Sequence, residues 1–167
     1  MLVITGGEPL LQQSGLIRLF ETDERKADPL LTRRVEVETA GTISPTKEFL
    51  SVTGHGSKEA VRFNISPKLA HSGNPHNRRY HPDVLRELEQ LNYIFKFVVE
   101  DLADFEEVDL IVDKVAIHPS RVYIMPRGIE QGILNETSQN IAEAVISRHY
   151  NLTGRLHIAL WGNARGH

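Results

Sequence analysis

Residues Thr5–Pro9, which read TGGEP, have the residue types in this chain best suited to holding a small ligand. An apolar β-type run, Leu2–Thr5, leads into two glycines, and glycines at a strand end let a ligand approach the backbone because no Cβ is in the way. Pro9 can open a helix, since its missing N–H would be unpaired in the first turn. Glu8 then stands at a helix N-terminus, where its carboxylate can meet a cationic group. The alternative is an ordinary strand-to-helix turn without a ligand.

The elements around this turn alternate between strand and helix patterns. Apolar runs typical of β-strands occur at Leu2–Thr5, Arg34–Thr39, Val61–Ile65, Tyr93–Val99, Arg121–Met125 and Arg155–Trp161. Helical spacing of apolar residues occurs at Leu10–Phe20, Pro45–Phe49, Pro82–Leu91, Leu102–Val115 and Leu134–Tyr150. Loops are predicted at Asp23–Asp28, Thr53–Ser57 and Leu69–Arg79. In the last helix, the expected cap is Asn135 or Thr137, and the expected inward residues are Ile141, Ala144, Val145 and Ile146.

This alternation predicts an α/β fold with a mostly parallel sheet of about six strands. The chain has 167 residues, whereas a complete (β/α)8 barrel needs about 250. We therefore expect a single domain over residues 1–167 that forms an open, partial (β/α) barrel. Ligands of such sheets bind at the carboxyl ends of the strands. Polar or glycine-bearing turns stand at those ends, after Ile4, Val37, Ile65, Ile124 and Leu160, and two acids, Glu100 and Asp101, follow Val99.

Composition narrows the function classes. The net charge of −3 predicts no direct binding to nucleic acid, because no bulk basic field is present. No apolar stretch approaches the roughly 20 residues of a membrane span, so no membrane association is expected. The chain has no cysteine, which leaves no disulfide framework and fits a cytoplasmic setting. The eight histidines are scattered, so no metal site is predicted within the chain.

Five separated motifs together resemble the 7-carboxy-7-deazaguanine synthases, a family of radical S-adenosylmethionine (radical-SAM) enzymes. The motifs are Thr5–Pro9 (TGGEP), Glu38–Thr42 (ETAGT), Asn64–Lys68 (NISPK), Tyr123–Gly128 (YIMPRG) and Leu156–Gly166 (LHIALWGNARG). The first is shared by many radical-SAM families, but the five in this order cover nearly the whole chain. The resemblance implies conversion of 6-carboxy-5,6,7,8-tetrahydropterin to 7-carboxy-7-deazaguanine, a precursor of queuosine-type bases.

The resemblance also implies a set of binding residues for S-adenosylmethionine (SAM) and for the pterin. Gly6, Gly7 and Glu8 would hold the methionyl amino group, because a carboxylate and bare carbonyls suit an ammonium. The residues expected near the ribose or the methionine carboxylate are Ser66, Pro67 and Lys68, and those expected to line the adenine are Met125, Pro126, Arg127 and Gly128. The residues expected at the pterin are Thr5, Glu38, Asn163 and His167, the last two in a tail that closes over it. No catalytic residue is identified.

The absence of cysteine sets this chain apart from the family pattern. The family holds a [4Fe–4S] cluster on three cysteines, and cluster iron prefers thiolate sulfur. A hydroxyl beside those cysteines helps to hold the family's Mg²⁺. We therefore expect the chain to be the C-terminal portion of such an enzyme without its first βα unit, with the cluster-bearing segment supplied upstream or by a partner chain. The family also favours homodimers.

Two other functions remain open. The chain can be a non-catalytic remnant of the family that still binds the ligands. It can also be a partial-barrel enzyme acting on a phosphorylated small molecule, with Gly6 and Gly7 cradling the phosphate. Glu8 argues against that last function, because an acid beside the turn repels an anion.

Most of the singled-out residues also have a plainer interpretation. Ser66-Pro67 is compatible with a simple turn, Lys68 with a solvated charge, and Met125 with core filling. Glu36 and Glu38 are compatible with the wet face of an edge strand. Asp109 and Asp113 are compatible with a solvated helix face, and Trp161 with a core or rim aromatic. A mobile basic loop, rather than a phosphate site, is the plainer interpretation of His76, Arg78, Arg79 and His81.

Overall fold

A computed structural model describes residues 1–21, 34–54 and 61–162 of the chain. Six strands are present in these residues, in the sheet order β1-β2-β3-β4-β5-β6. They are β1 (Leu2–Ile4), β2 (Val35–Thr39), β3 (Val61–Ile65), β4 (Tyr93–Val99), β5 (Val122–Pro126) and β6 (Asn151–Leu152). The pairs β1–β2, β2–β3, β4–β5 and β5–β6 are parallel. The predicted α/β class with an open, parallel sheet is confirmed.

Seven α-helices lie in the described residues. They are α1 (Gln13–Glu21), α2 (Lys47–Gly54), α3 (His76–Arg79), α4 (Pro82–Glu89), α5 (Asp104–Val115), α6 (Gln131–Ser147) and α7 (Leu156–Trp161). Short 3-10 turns occur at Pro9–Gln12, Ala70–Ser72 and Pro119–Arg121. None of the helices in the described ranges is long and apolar enough to cross a membrane.

Contacts within the chain divide it into two compact units. The first unit comprises Met1–Pro67 and Tyr80–Ile94, and the second comprises Lys68–Arg79 and Phe95–His167. The expectation of one domain over residues 1–167 stays a prediction.

The core of the first unit lies on one face of β2 and β3. The side chains of Val35, Val37 and Thr39 are buried, as are those of Val61, Phe63 and Ile65, and the residues between them in each strand are half-buried. Phe20 of α1 packs edge-on against Phe49 of α2, with ring centroids 6.4 Å apart. This aromatic contact holds α1 and α2 together. The opposite face of β2 and β3 carries polar side chains.

The second unit has an aromatic core and a charged clasp between helices. Phe95 and Phe97 stack with centroids 6.2 Å apart. Arg148 donates from Nε to both carboxylate oxygens of Asp109 at 2.9 and 2.8 Å, and its guanidinium lies 4.9 Å from the centroid of the Phe105 ring. Tyr150 donates its hydroxyl to the same carboxylate at 3.0 Å. Asp109 is therefore a partly exposed anchor between α5 and the end of α6, in addition to lying on a solvated helix face.

Two predicted elements differ in type from those observed. Residues 156–161 form helix α7, whereas a strand was expected over Arg155–Trp161. The last strand of the sheet is instead the two-residue β6, which lies earlier in the chain, at Asn151–Leu152. The alternation of Leu156, Ile158 and Leu160 favours a strand only where a neighbour covers one face. Here only Ile158 is buried, and backbone bonds such as Ile158 N to Arg155 O (3.0 Å) are made locally.

The segment Leu69–Arg79 is the second difference, because it contains a 3-10 turn and α3 instead of a continuous loop. Its backbone bonds are local: Ser72 N donates to Leu69 O at 3.0 Å, and Arg78 N donates to Pro75 O at 2.9 Å. Such short turns need no apolar periodicity, so the pattern carried no signal for them.

Smaller corrections concern α2 and α6. Helix α2 continues to Gly54, so Thr53 is helical, and residues 55–57 of the predicted loop lie outside the described residues, as does Asp23–Asp28. Helix α6 begins at Gln131 after the N-cap Glu130, which places Asn135 and Thr137 inside the helix. Ile141 and Val145 are buried as expected and Ala144 is half-buried, but Ile146 is 71% exposed, because it lies about 100° around the helix from Val145.

Candidate ligand-binding site

The Gly6–Gly7 turn leaves open space beside its backbone. Both glycines have positive φ, +95° and +55°, a conformation that side chains other than glycine rarely adopt. A Cβ built on either residue would meet no atom within 4 Å, and both residues are exposed. The peptide groups of the turn at the end of β1 are therefore accessible to a ligand.

Glu8 is held in place by three donors of the first unit. Its carboxylate accepts from Leu10 N at 3.2 Å, from Thr39 Oγ1 at 2.8 and 2.9 Å, and from Ala40 N at 2.9 Å. A carboxylate offers about four lone-pair sites, and the three hydrogens on these donors fill all but about one. Glu8 therefore caps the 3-10 turn Pro9–Gln12 and still has capacity for one further donor.

Thr39 is the residue that sequence reasoning missed in this turn. It is buried, its hydroxyl donates to Glu8, and its Oγ1 accepts from Gly41 N at 3.0 Å. Its carbonyl accepts from Ser66 N at 2.8 Å. Thr39 thus ties together the turns after β1, β2 and β3. The signal available was a threonine directly before the Ala40-Gly41 turn, where a hydroxyl can bond local backbone groups.

Glu38 and Thr5, two residues predicted at the pterin, are in contact. The Thr5 hydroxyl donates to Glu38 Oε2 at 2.8 Å. The first unit thus brings seven of the predicted residues to the carboxyl ends of β1 to β3, where Thr39 links the three turns. The seven are Thr5, Gly6, Gly7, Glu8, Glu38, Ser66 and Pro67.

The half-buried face of β2 and β3 is polar. Glu36 and Glu38 on β2 stand in register with Arg62 and Asn64 on β3. Asn64 Nδ2 donates to Glu36 Oε1. The edge-strand interpretation of Glu36 and Glu38 is wrong, because β2 is paired on both sides.

Lys68, in the second unit, is held through its backbone. Arg79 donates from Nη1 to the Lys68 carbonyl at 3.0 Å and to Glu107. The same glutamate accepts from Ala70 N at 2.8 Å. Arg79 is only 8% exposed and ends helix α3, so the interpretation of this residue as part of a mobile basic loop is wrong.

Met125–Gly128 leaves the end of β5 beside a cleft of about 420 Å³. Met125 is half-buried and Pro126 is buried, which excludes Met125 from a fully buried core position. Arg127 N donates to Val99 O at 2.8 Å, and the Arg127 guanidinium pairs with Glu100 at 2.8 Å. The cleft is lined by Pro126 together with residues of α6, the β6–α7 connection and α7, among them Gln131, Asn135, Ser138, Thr153, Arg155 and Ala159.

The residues present fit SAM but not an iron–sulfur cluster. Open backbone groups at Gly6 and Gly7 and a spare acceptor site on Glu8 suit the ammonium of an amino acid. A [4Fe–4S] cluster finds no thiolate, because the chain has no cysteine. Within residues 1–21, 34–54 and 61–162, no three histidine or acidic side chains are grouped so that they could share a metal ion. Asn163 and His167 lie outside the described residues.

The relatives of the chain share one name. It is 34% identical to the 7-carboxy-7-deazaguanine synthase of Pyrobaculum aerophilum and 30% identical to that of Rhodopirellula baltica, over 98% of this chain in each case. A third relative of the same name, from Hyperthermus butylicus, is 32% identical over 95% of the chain. The chain spans 62 to 66% of the length of these three relatives.

Solved structures agree on the fold. The structure of Streptococcus suis SuiB bound to S-adenosylmethionine superposes with a TM-score of 0.52 at 13% identity, covering 92% of this chain and 39% of SuiB. A second SuiB structure gives a TM-score of 0.51 at 14% identity. No family model matches the chain.

Proposed function

Because this chain belongs to the 7-carboxy-7-deazaguanine synthase family, we propose that it is the SAM- and pterin-binding portion of such an enzyme. The enzyme would convert 6-carboxy-5,6,7,8-tetrahydropterin to 7-carboxy-7-deazaguanine. The observation that carries the proposal is the Gly6–Gly7 turn, open in front and braced behind by Glu8 and Thr39.

The role of this chain in the reaction is to bind and orient. SAM, when bound, supplies the hydrogen-abstracting chemistry of the family. Gly6 and Gly7 would accept from the methionyl ammonium through their carbonyls, and Glu8 would supply a fixed negative charge beside it. In the second unit, Lys68 would face a carboxylate or ribose of the cofactor. The residues proposed to line the adenine are Met125, Pro126, Arg127 and Gly128, at the cleft that follows β5.

The pterin would be bound by polar side chains of the same strand ends. Thr5 and Glu38 form a hydrogen-bonded pair that can accept from ring N–H groups. Asn163 and His167 remain proposed contacts of the pterin on the strength of the family resemblance alone.

The cluster would be held outside these 167 residues. Without cysteine the chain supplies none of the thiolates, so the cluster-bearing segment would belong to another part of the same protein or to a partner chain. The chain by itself would then bind SAM and turn over no pterin.

Calorimetric titration tests the SAM site. We expect the chain to bind SAM, and we expect ribose 5-phosphate to give no heat. Thr39→Val should weaken SAM binding about tenfold, because Glu8 loses one of the three donors that hold its carboxylate. Thr42→Val, in the same motif, is the matched control and should leave the affinity unchanged. Binding of the sugar phosphate but not of SAM would refute the proposal and favour the phosphate-handling alternative.

A further inference from the structure

The half-buried face of β2 and β3 has more hydrogen-bonding capacity than the protein itself uses. Glu36 accepts from Asn64 at one oxygen, and no other bond to Glu36 is made by the described residues. Asn64 Oδ1 is buried without a partner in the described structure, and so is Arg62 Nε. Buried polar atoms in proteins are paired in the great majority of cases, so a group of this kind calls for an explanation.

A structural role accounts poorly for these residues. Parallel strands covered on both faces are nearly continuous apolar runs, because a polar side chain there costs free energy unless it is bonded. Strand β2 is paired on both sides, and Glu36 is the second of its five residues. Asn64 fixes the Glu36 carboxylate through its Nδ2 and leaves the second carboxylate oxygen, Oε2, as an oriented acceptor.

Position on the strand relates Glu36 to the proposed pterin contacts. Glu36 and Glu38 lie on the same face of β2, two residues apart, which is a separation of roughly 6–7 Å along the strand. Glu38 already contacts Thr5 at the carboxyl end. A flat heterocycle bound to Thr5 and Glu38 would extend along this face toward Glu36.

Resting on the proposed function, we propose that Glu36 determines specificity for the 2-amino-4-oxopyrimidine edge of the pterin, and that Asn64 is its positioning residue. That edge carries two neighbouring donors, the 2-amino group and N3–H. A carboxylate is the matching acceptor, and bonds to an ionised group are about twice as strong as neutral ones. A ring with a carbonyl in place of the 2-amino group would turn an oxygen toward the Glu36 carboxylate and be rejected.

Two probes that differ only at this position test the assignment. Binding of 6-carboxypterin and of 6-carboxylumazine, which has oxygen in place of the 2-amino group, is measured by calorimetry on the full chain with SAM present. We expect the wild type to prefer 6-carboxypterin by about tenfold or more. Glu36→Met should reduce the preference to about twofold or less, and Glu36→Gln, which retains a neutral acceptor, should give an intermediate preference.

Three controls separate recognition from folding. Glu48→Met removes an exposed carboxylate of α2 in the same unit and should leave the preference unchanged. Asn64→Leu should lower the preference less than Glu36→Met, because it removes only the donor that orients the carboxylate. SAM affinity should be the same in the wild type and in Glu36→Gln.

The outcomes distinguish the two levels of the argument. If the wild type binds SAM and 6-carboxypterin but Glu36→Met keeps the full preference, the role of Glu36 is refuted and the proposed function stands. If both Glu36 variants lose SAM and both pteridines in parallel, Glu36 is a structural residue and the inference is refuted. A wild-type chain that binds neither SAM nor 6-carboxypterin refutes both the inference and the proposed function.

Discussion

The two units use the half-buried faces of their strands in opposite ways. In the first unit, the register pairs on this face are Glu36 with Arg62 and Glu38 with Asn64, and all four are polar. In the second unit, the corresponding pairs of β4 and β5 are Lys96 with Tyr123 and Val98 with Met125. The first face is suited to hydrogen bonds with a ligand, and the second is suited mainly to apolar contact.

The second unit places most of its charges on helices and loops instead. Its arginine ion pairs join Arg79 to Glu107, Arg148 to Asp109 and Arg127 to Glu100, and none of these six residues lies in a strand. The first unit holds its turns with a threonine hydroxyl, backbone N–H groups and tight glycine geometry. A cluster of four polar side chains on one face of two paired strands is therefore a stronger sign of ligand chemistry than a single charge on a helix.

The largest expected effect is a loss of stability when the packing around Gly41 in the first unit is disrupted. Gly41 has a φ of +73°, and a Cβ there would lie 2.4 Å from Leu85 Cδ2 and 2.9 Å from Ile65 Cγ2. Gly41→Ala should lower the free energy of unfolding by about 3 kcal/mol or more through strain and overpacking. Gly15→Ala is the matched control: its Cβ meets nothing within 4 Å, so helix propensity should raise stability by about 0.5–1 kcal/mol. Chemical denaturation measures both, and equal effects would contradict the packing argument.

The next effect tests whether the second unit depends on its buried charge. Arg79→Met removes the donor to Glu107 and to the Lys68 carbonyl, and Glu107 is 24% exposed, so water offsets part of the loss. We expect a cost of about 2–3 kcal/mol, below the full value for a buried pair. Arg127 and its partner Glu100 are both 51% exposed, so Arg127→Met should cost less than about 0.5 kcal/mol. Urea denaturation measures the free energy of unfolding of both variants. Similar losses in the two would show that Arg79 does not anchor the second unit.

The smallest expected effect concerns the hydrogen bond from Tyr150 to Asp109 and the pH dependence of stability that it produces. Burial, and then the hydrogen bond and charge of Asp109, raise the pKa of Tyr150 above its ordinary 10.0. The stabilisation from this protonated hydroxyl is therefore fully present below pH 10.0 and is lost as the pH rises further. Tyr150→Phe should cost about 1 kcal/mol near neutral pH.

The same variant should show a shallower loss of stability above pH 10.0, so that the two curves converge in alkaline solution. Thermal melts of the wild type and of Tyr150→Phe from about pH 8 to about pH 11 provide the measurement. Curves that stay parallel across that range would show that the hydroxyl titrates alike in the folded and unfolded chains.

Local patterns carried much of the fold and of the first-unit site. The strands at Val61–Ile65 and Tyr93–Val99 have the predicted bounds, because β-branched and aromatic runs between turn residues are a short-range signal. The TGGEP turn was recognisable for the same reason: its glycines and proline act on adjacent residues. Helix α7 was not predictable from its own residues, since alternation indicates a strand only when a neighbour supplies the second face.

Long-range contacts account for the other differences. Arg79 was assigned to a mobile basic loop because its partner Glu107 is 28 residues away in the sequence. Thr39 had no assigned role because Glu8, 31 residues earlier, is what its hydroxyl holds. Glu36 and Asn64 lie on separate strands and are not opposite each other in the register, so only the folded structure shows the diagonal hydrogen bond between them.

The amino-acid sequence by itself determined the α/β class, the parallel order implied by alternating elements, the ligand-type turn after β1 and the lack of any thiolate. These depend on backbone conformation, periodicity and composition, which act over a few residues or over the chain as a whole. The tertiary structure decided which charged side chains are buried partners and which polar face remains open. That outcome depends on strand register and on contacts between residues about 30 apart, which no local preference encodes.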